Sequence, residues 1–258
     1  MDSTDKKILF FLLKDGRMPQ RQIAKSIGIS AQTLNYRMSK LIEDGVIQDF
    51  GIKVNPSIYG KVEGYAAFVS DHELTDGYSL IMKCLEKITL YGFTGNSKEE
   101  VEQIILEKSK ELGNPVMKYM PESISYSGNS KSIDDLIIEQ LRKYPRETLS
   151  VIAKNIEIPR MSVKRRYNFL RKNNILGVIT KVDLSKTDGV VFSIFTPSPA
   201  RVAEILEDIT FLEISDSSSG VFLCFAQNMT EAKKFIDNAR REEKNSEVMV
   251  VYDYDIKT

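Results

Sequence analysis

A chain of 258 residues with 42% hydrophobic and 28% charged residues has the composition of a folded soluble protein, neither disordered nor fibrous. Its longest apolar runs, 8–13 and 190–195, fall far short of the ~20 residues a membrane helix needs, so no transmembrane span is expected. The 36 basic and 36 acidic residues cancel, and a net charge of zero would by itself speak against a polyanion partner.

The balance is uneven along the chain. Sliding the sequence by 129 places Ser3–Ile47 over Ser132–Leu176 without a gap, with thirteen of 45 positions identical, where unrelated segments give about three. The matches include Asp5 with Asp134, Ile8 with Ile137, Arg17 with Arg146, the run from Ile23 to Lys25 with that from Ile152 to Lys154, and Arg37 with Arg166. Cut at the repeat, residues 1–60, 61–129, 130–189 and 190–258 carry net charges of +3, −4, +6 and −5. Two basic and two acidic domains alternate, and a phosphate backbone responds to the charge within a Debye length, not to the chain total.

The N-terminus, Met1-Asp2-Ser3-Thr4-Asp5, lacks the basic start and apolar stretch of a secretory signal, so a cytoplasmic location without disulfides is expected. In residues 1–60, Ile8, Leu9, Leu12 and Leu13 recur at helical spacing up to a stop at Gly16. Pro19 opens a short second helix through Ile23, Ala24 and Ile27, Gly28 turns the chain, and Ser30 caps a third helix over residues 31–44. That helix buries Leu34, Met38, Leu41 and Ile42 and leaves Gln32, Thr33, Asn35, Tyr36 and Lys40 outward, types that reach base edges and phosphates. Val46–Val54 then reads as two short strands about Asp49–Gly51, a wing, which Ile175–Val182 repeats in the second copy.

Residues 61–129 give strands over 64–70, 88–94 and 116–119 and helices over 78–86 and 97–112, one strand short of a ferredoxin-like βαββαβ unit. His72 falls in a solvated loop; Cys84, like Cys224 later, stands singly in apolar surroundings and reads as core. A linker is expected around residues 125–132.

Residues 130–189 repeat the helical pattern, with a recognition helix over 160–173. No acidic residue occurs from Gly16 to Ile42 or from Ile158 to Val182. Arg160, Lys164, Arg165, Arg166, Arg171 and Lys172 crowd the second helix, a density suited to phosphate neutralisation. Pro159, Arg160 and Met161 replace Ser30, Ala31 and Gln32, so the two copies cannot read the same bases. Residues 190–258 complete βαββαβ: a strand over 189–196, a helix over 199–208, a hairpin over 209–215 and 221–227, a helix over 230–244 and a strand over 248–255. Phe192, Phe195, Phe211, Phe222 and Phe225 alternate on these strands and read as core rather than as a pocket.

Asp2, Asp5, Ile8, Leu9, Leu12, Asp15, Arg17, Ile23, Ala24, Gly28, Ser30, Arg37, Leu41 and the run from Gly45 to Ile47 make the opening of this chain resemble the Lrp/AsnC family of transcription regulators. Residues 130–189 resemble it through Asp134, Ile137, Ile138, Leu141, Arg146, Ile152, Ala153 and Arg166. The resemblance implies an α+β chain in which two winged helix-turn-helix domains alternate with two ferredoxin-like domains. The function it implies is sequence-specific binding of double-stranded DNA, with assembly as a homodimer or an intrachain pseudo-dimer and with no cofactor or metal. The expected contacts are Ser30, Gln32, Thr33, Asn35, Tyr36, Arg37 and Lys40 in one copy, and Arg160, Ser162, Lys164, Arg165, Arg166, Arg171 and Lys172 in the other.

The resemblance also implies a small-molecule effector, often an amino acid, near a Gly-x-Tyr-Asp-like hairpin turn. Here Gly220-Val221-Phe222-Leu223 and Tyr91-Gly92-Phe93-Thr94 stand there without the acidic partner an α-amino group wants. Two other function classes stand beside it: a winged-helix protein-interaction or architectural module without specific DNA, and, because a branch resembling this family decarboxylates sirohaem, a sirohaem-decarboxylase-like enzyme. The enzyme is disfavoured by a single histidine and the lack of any Ser/His/Asp or Cys/His grouping.

Overall fold

The computed structural model describes residues 1–122, Tyr126 and 131–257; the linker expected around 125–132 lies outside the described residues except at Tyr126 and at 131–132. Local signals set the first helices. Asp2 accepts the N–H groups of Thr4 and Asp5 while Asp5 accepts that of Asp2, a capping box that opens α1 (Ser3–Lys14). Gly28, at φ 74°, ends α2 (Gln20–Ile27), and the Ser30 hydroxyl accepts the Thr33 N–H to open α3 (Ala31–Glu43). Ile8, Leu9, Leu12, Ile23, Leu34, Met38 and Leu41 close the core between them.

After β1 (Ile47–Val54) come β2 (Val62–Val69), β3 (Leu80–Cys84), β4 (Ile88–Gly95), α4 (Lys98–Leu112) and β5 (Met117–Tyr119). The helix expected over 78–86 is therefore β3, and what this unit lacks is the first crossover helix, not a strand. Leu80, Ile81, Met82 and Cys84 are all buried, because β3 lies inside a sheet with apolar contacts on both faces. A continuous apolar run of that length carries no period to separate helix from strand.

The second copy adds α5 (Lys131–Lys143), α6 (Leu149–Asn155), α7 (Arg160–Lys172) and β6 (Leu176–Val182). The left-handed turns of the first copy, Gly28 and Gly45, are here occupied by Glu157 (φ 54°) and Asn174 (φ 55°). A left-handed residue with a Cβ costs roughly 1–2 kcal/mol, less for Asn, while glycine loses more chain entropy. Glu157→Gly is accordingly expected to raise stability by about 0.5–1 kcal/mol in urea unfolding, and Asn174→Gly by less. A loss of stability at Glu157→Gly would show that the side chain makes a compensating contact.

The last unit is β7 (Val190–Thr196), α8 (Pro199–Leu206), β8 (Thr210–Ser215), β9 (Gly220–Ala226), α9 (Met229–Glu242) and β10 (Glu247–Ile256), the full βαββαβ order. Both ferredoxin-like units merge into one antiparallel eight-stranded sheet, β5-β2-β4-β3-β10-β7-β9-β8, joined where β3 pairs with β10. One face is covered by α4 over Phe68, Tyr91 and Phe93 and by α8 and α9 over Phe192 and Phe222. The other face carries Leu80, Met82, Leu223, Phe225 and Val251 in a core continuous with α1. Burial and, next, the Asp216 carboxylate just after β8 push the Tyr119 phenol of β5 up.

The two helical units are interlocked by strand exchange. The hairpin wing expected in each copy is absent from the described residues; β1 and β6 are single strands that pair antiparallel with each other. Gly51, the expected turn, sits buried in this ladder opposite Ile179. Phe50 and Gly51, whose repeat counterparts are Ile179 and Thr180, pair with Thr180 and Ile179 respectively, so the ladder is centred on equivalent residues as a two-fold relation requires. Packing follows the exchange: Ile52 and Ile58 join the α5–α7 core, and Val182 joins the α1–α3 core. Backbone bonds Gly16 N to Val178 O and Asn55 N to Ile175 O, both 2.8 Å, cross between the copies, as does the buried Thr180 hydroxyl donating to Leu12 O at 2.7 Å.

Candidate nucleic-acid interface

The helical period buries Leu34, Met38 and Leu41 and turns Gln32, Thr33, Asn35, Tyr36 and Lys40 to solvent on α3, while Ile42, expected in the core, is 47% exposed in the last turn. Tyr36 is 70% exposed. The Thr33 hydroxyl is 2.8 Å from that of Ser30, so these two belong to the helix cap as much as to the outward face. On α7, Arg160, Met161, Lys164, Arg165 and Lys172 are exposed and Ser162 is half-buried. Among the described residues none of these four cations, nor Lys40, lies within ion-pair distance of a carboxylate. A basic face left unpaired is the electrostatic footprint of a polyanion site.

Three arginines expected at this surface are turned elsewhere. Arg37 reaches Asp2 and Asp5 at 2.7 and 2.8 Å, tying α3 to the cap of α1. Arg166 makes the equivalent contact with Asp134, through Nε at 2.8 Å and Nη2 at 2.5 Å, and stacks over the Phe169 ring at 4.5 Å. Asp134 is fully buried and is also bonded by the Tyr126 hydroxyl, whose pKa burial first and Asp134 second push up to about 12. Arg171 holds Asp15 of the other copy in a two-bond fork at 3.0 and 2.7 Å. Charge alone suggested these residues to be DNA contacts; their carboxylate partners lie 32 to 156 positions away in sequence.

Sequence reasoning also missed the cross-copy clamps. Arg17 stacks over Tyr167 at 4.8 Å and donates to Glu147 O, and its repeat counterpart Arg146 stacks over Phe50 at 4.6 Å. Their identity in both copies is the signal that could have drawn notice. These contacts tie the α1–α2 loop and the α5–α6 loop each to the opposite copy.

Elsewhere, His72 is exposed in the loop before β3. Cys84 and Cys224 are buried, and desolvation pushes both thiols up to about 12. Tyr91–Phe93 and Gly220–Leu223, where the resemblance placed an effector, are buried strand interior. A cavity of about 510 Å³ lies instead between the β1/β6 ribbon and the sheet, lined by Lys53, Ser57, Glu63, Val178, Phe211 and Tyr254 among others. No helix among the described residues is long and apolar enough to cross a membrane.

Residues 1–48 match the winged helix-turn-helix DNA-binding family. The chain is 35% identical over 118 residues to the HTH-type transcriptional regulator FL11 of Pyrococcus furiosus, spanning 44% of this chain and 76% of that protein. To an HTH-type transcriptional regulator of Pyrococcus abyssi it is 28% identical over 147 residues, 55% of this chain and 95% of that one. Each relative thus corresponds to about half of a duplicated chain. Among solved structures, that of the siroheme decarboxylase NirDL covers 99% of this chain and 93% of its own at a TM-score of 0.50 and 13% identity, a likeness of fold.

Proposed function

The chain belongs to the Lrp/AsnC family of DNA-binding transcription regulators, and from that premise we propose that a single chain acts as its own dimer on one operator. The β1/β6 exchange carries this reading, because it relates the two helix-turn-helix units by the two-fold that separate subunits supply in other helix-turn-helix dimers. The recognition helices α3 and α7 enter successive major grooves of the duplex. Gln32, Thr33, Asn35, Tyr36 and Lys40 face one half-site, and Arg160, Ser162, Lys164, Arg165 and Lys172 the other. Arg37 and Arg166 are assigned to holding each recognition helix within its own unit, and Arg171 to holding the two units together. We place the protein in the cytoplasm, with the genome it regulates.

The reading makes the chain a regulator rather than an enzyme, with its one histidine exposed in a loop and both cysteines buried in the core. For a small effector, the cavity under the ribbon has the volume of an ordinary ligand site and touches the strands that join the helical units. The test is the mass of the complex with an operator duplex by native mass spectrometry, with affinity followed against salt. One chain per duplex and a loss of about 0.9 log units per log salt for each neutralised phosphate are expected. Two chains per duplex would overturn the self-contained dimer, and salt-independent or absent binding would favour a protein-binding adaptor.

A further inference from the structure

The two recognition helices share an architecture but not a chemistry. The residues that hold each helix in place are kept between the copies, as in the Arg37–Asp5 and Arg166–Asp134 pairs. The outward residues of the first two turns are all replaced. Gln32 becomes Met161, Asn35 becomes Lys164 and Tyr36 becomes Arg165. On α3 the amides of Gln32 and Asn35 each carry a donor and an acceptor, the pairing that adenine N7 and N6 present in the major groove. On α7 the exposed polar groups of the first two turns, Arg160, Lys164 and Arg165, donate only. Met161, 74% exposed, adds an apolar contact and no strong hydrogen bond. Donors alone fit phosphate oxygens and the guanine N7/O6 pair, and meet only a single acceptor on adenine (N7) or thymine (O4); they have nothing to offer adenine N6 or cytosine N4, which themselves donate.

Resting on the DNA-binding reading above, we infer that the operator is asymmetric: α3 reads base edges, adenine included, in one half, while α7 holds the other half chiefly through phosphates and base acceptors, guanine foremost. The two-fold scaffold sets the spacing of the halves, and the diverged helices remove the palindrome that such a scaffold would otherwise select.

The test is selection of duplexes from a random-sequence pool by the full-length protein at about 0.15 M salt, repeated with Asn35→Ala and with the double variant Lys164→Ala/Arg165→Ala. All three substitutions are at exposed positions, so the fold is retained. The wild-type motif is expected to be non-palindromic, with A·T pairs specified in one half and a flank one helical turn away that is either featureless or dominated by G·C pairs. Asn35→Ala relaxes discrimination in the informative half by about ten-fold or more. The double variant weakens binding to every sequence and lowers the salt slope by about 1.8, two phosphates' worth, while selecting the same informative half. A palindromic motif, or A·T pairs specified as strongly in the α7 half as in the α3 half, overturns the asymmetry while leaving DNA binding intact. Failure to retain any duplex overturns the DNA-binding reading itself.

Discussion

Arg166→Met is expected to destabilise the protein by about 3–5 kcal/mol, whereas Arg37→Met, at the same position of the repeat, costs about 1 kcal/mol or less. The pairs are related by the duplication but differ in burial. Asp134 is 0% exposed and Arg166 14%, so removing the guanidinium leaves a carboxylate in a dry core with the Tyr126 hydroxyl as its remaining support. Asp5 and Arg37 are 19% and 28% exposed, and Asp2 still caps the helix beside them, so water takes over most of what the arginine supplied. Replacing the whole buried pair, as Asp134→Leu/Arg166→Met, is expected to recover much of the loss, because the stranded charge is what costs. Urea unfolding of the three variants measures this. Equal, small effects at Arg37 and Arg166 would mean that Asp134 is solvated. Arg37→Met is further expected to change the salt slope of duplex binding by less than one phosphate's share, which sets it apart from Lys164.

What the sequence made legible was local. The capping box at Asp2, the left-handed Gly28 and the Ser30 cap are signals within four residues of the structure they set, and they placed α1, α2 and α3 closely. The duplication was legible because a gapless offset of 129 is a property of the sequence alone. The readings that failed were those in which the deciding partner is distant. Leu80–Met82 is a strand because β4 and β10 flank it, and nothing within the segment says so. The β1/β6 ladder joins residues about 130 apart, and Val46–Val54 alternates equally well whether it folds back on itself or pairs with the other copy. At the candidate site the outward residues of α3 were readable from helical period. Arg37, Arg166 and Arg171 were not, because a count of positive charge ignores which carboxylates face it.

Ile52→Ala tests the exchange directly, since it places a first-copy residue in the second-copy core. Ile52, on β1, is 1% exposed and packs with Ile137, Ile138, Leu141, Leu170 and Val178. Truncating a buried isoleucine removes its transfer free energy and leaves a cavity, together about 2–4 kcal/mol. Were β1 a wing folded on its own copy, that loss would fall on α1–α3. With the strands exchanged, hydrogen–deuterium exchange is expected to show protection falling across α5–α7, with α1–α3 less affected. Val182→Ala on β6 is expected to do the reverse, loosening α1–α3, whose core it enters, though by only about 1–2 kcal/mol for the smaller side chain. Protection lost in the residue's own copy in both variants would sink the exchanged arrangement, and with it the single-chain dimer. The reciprocal pattern would mean that neither helix-turn-helix unit is complete without the other, so a chain cut between the copies should yield two poorly folded halves rather than two independent DNA-binding domains.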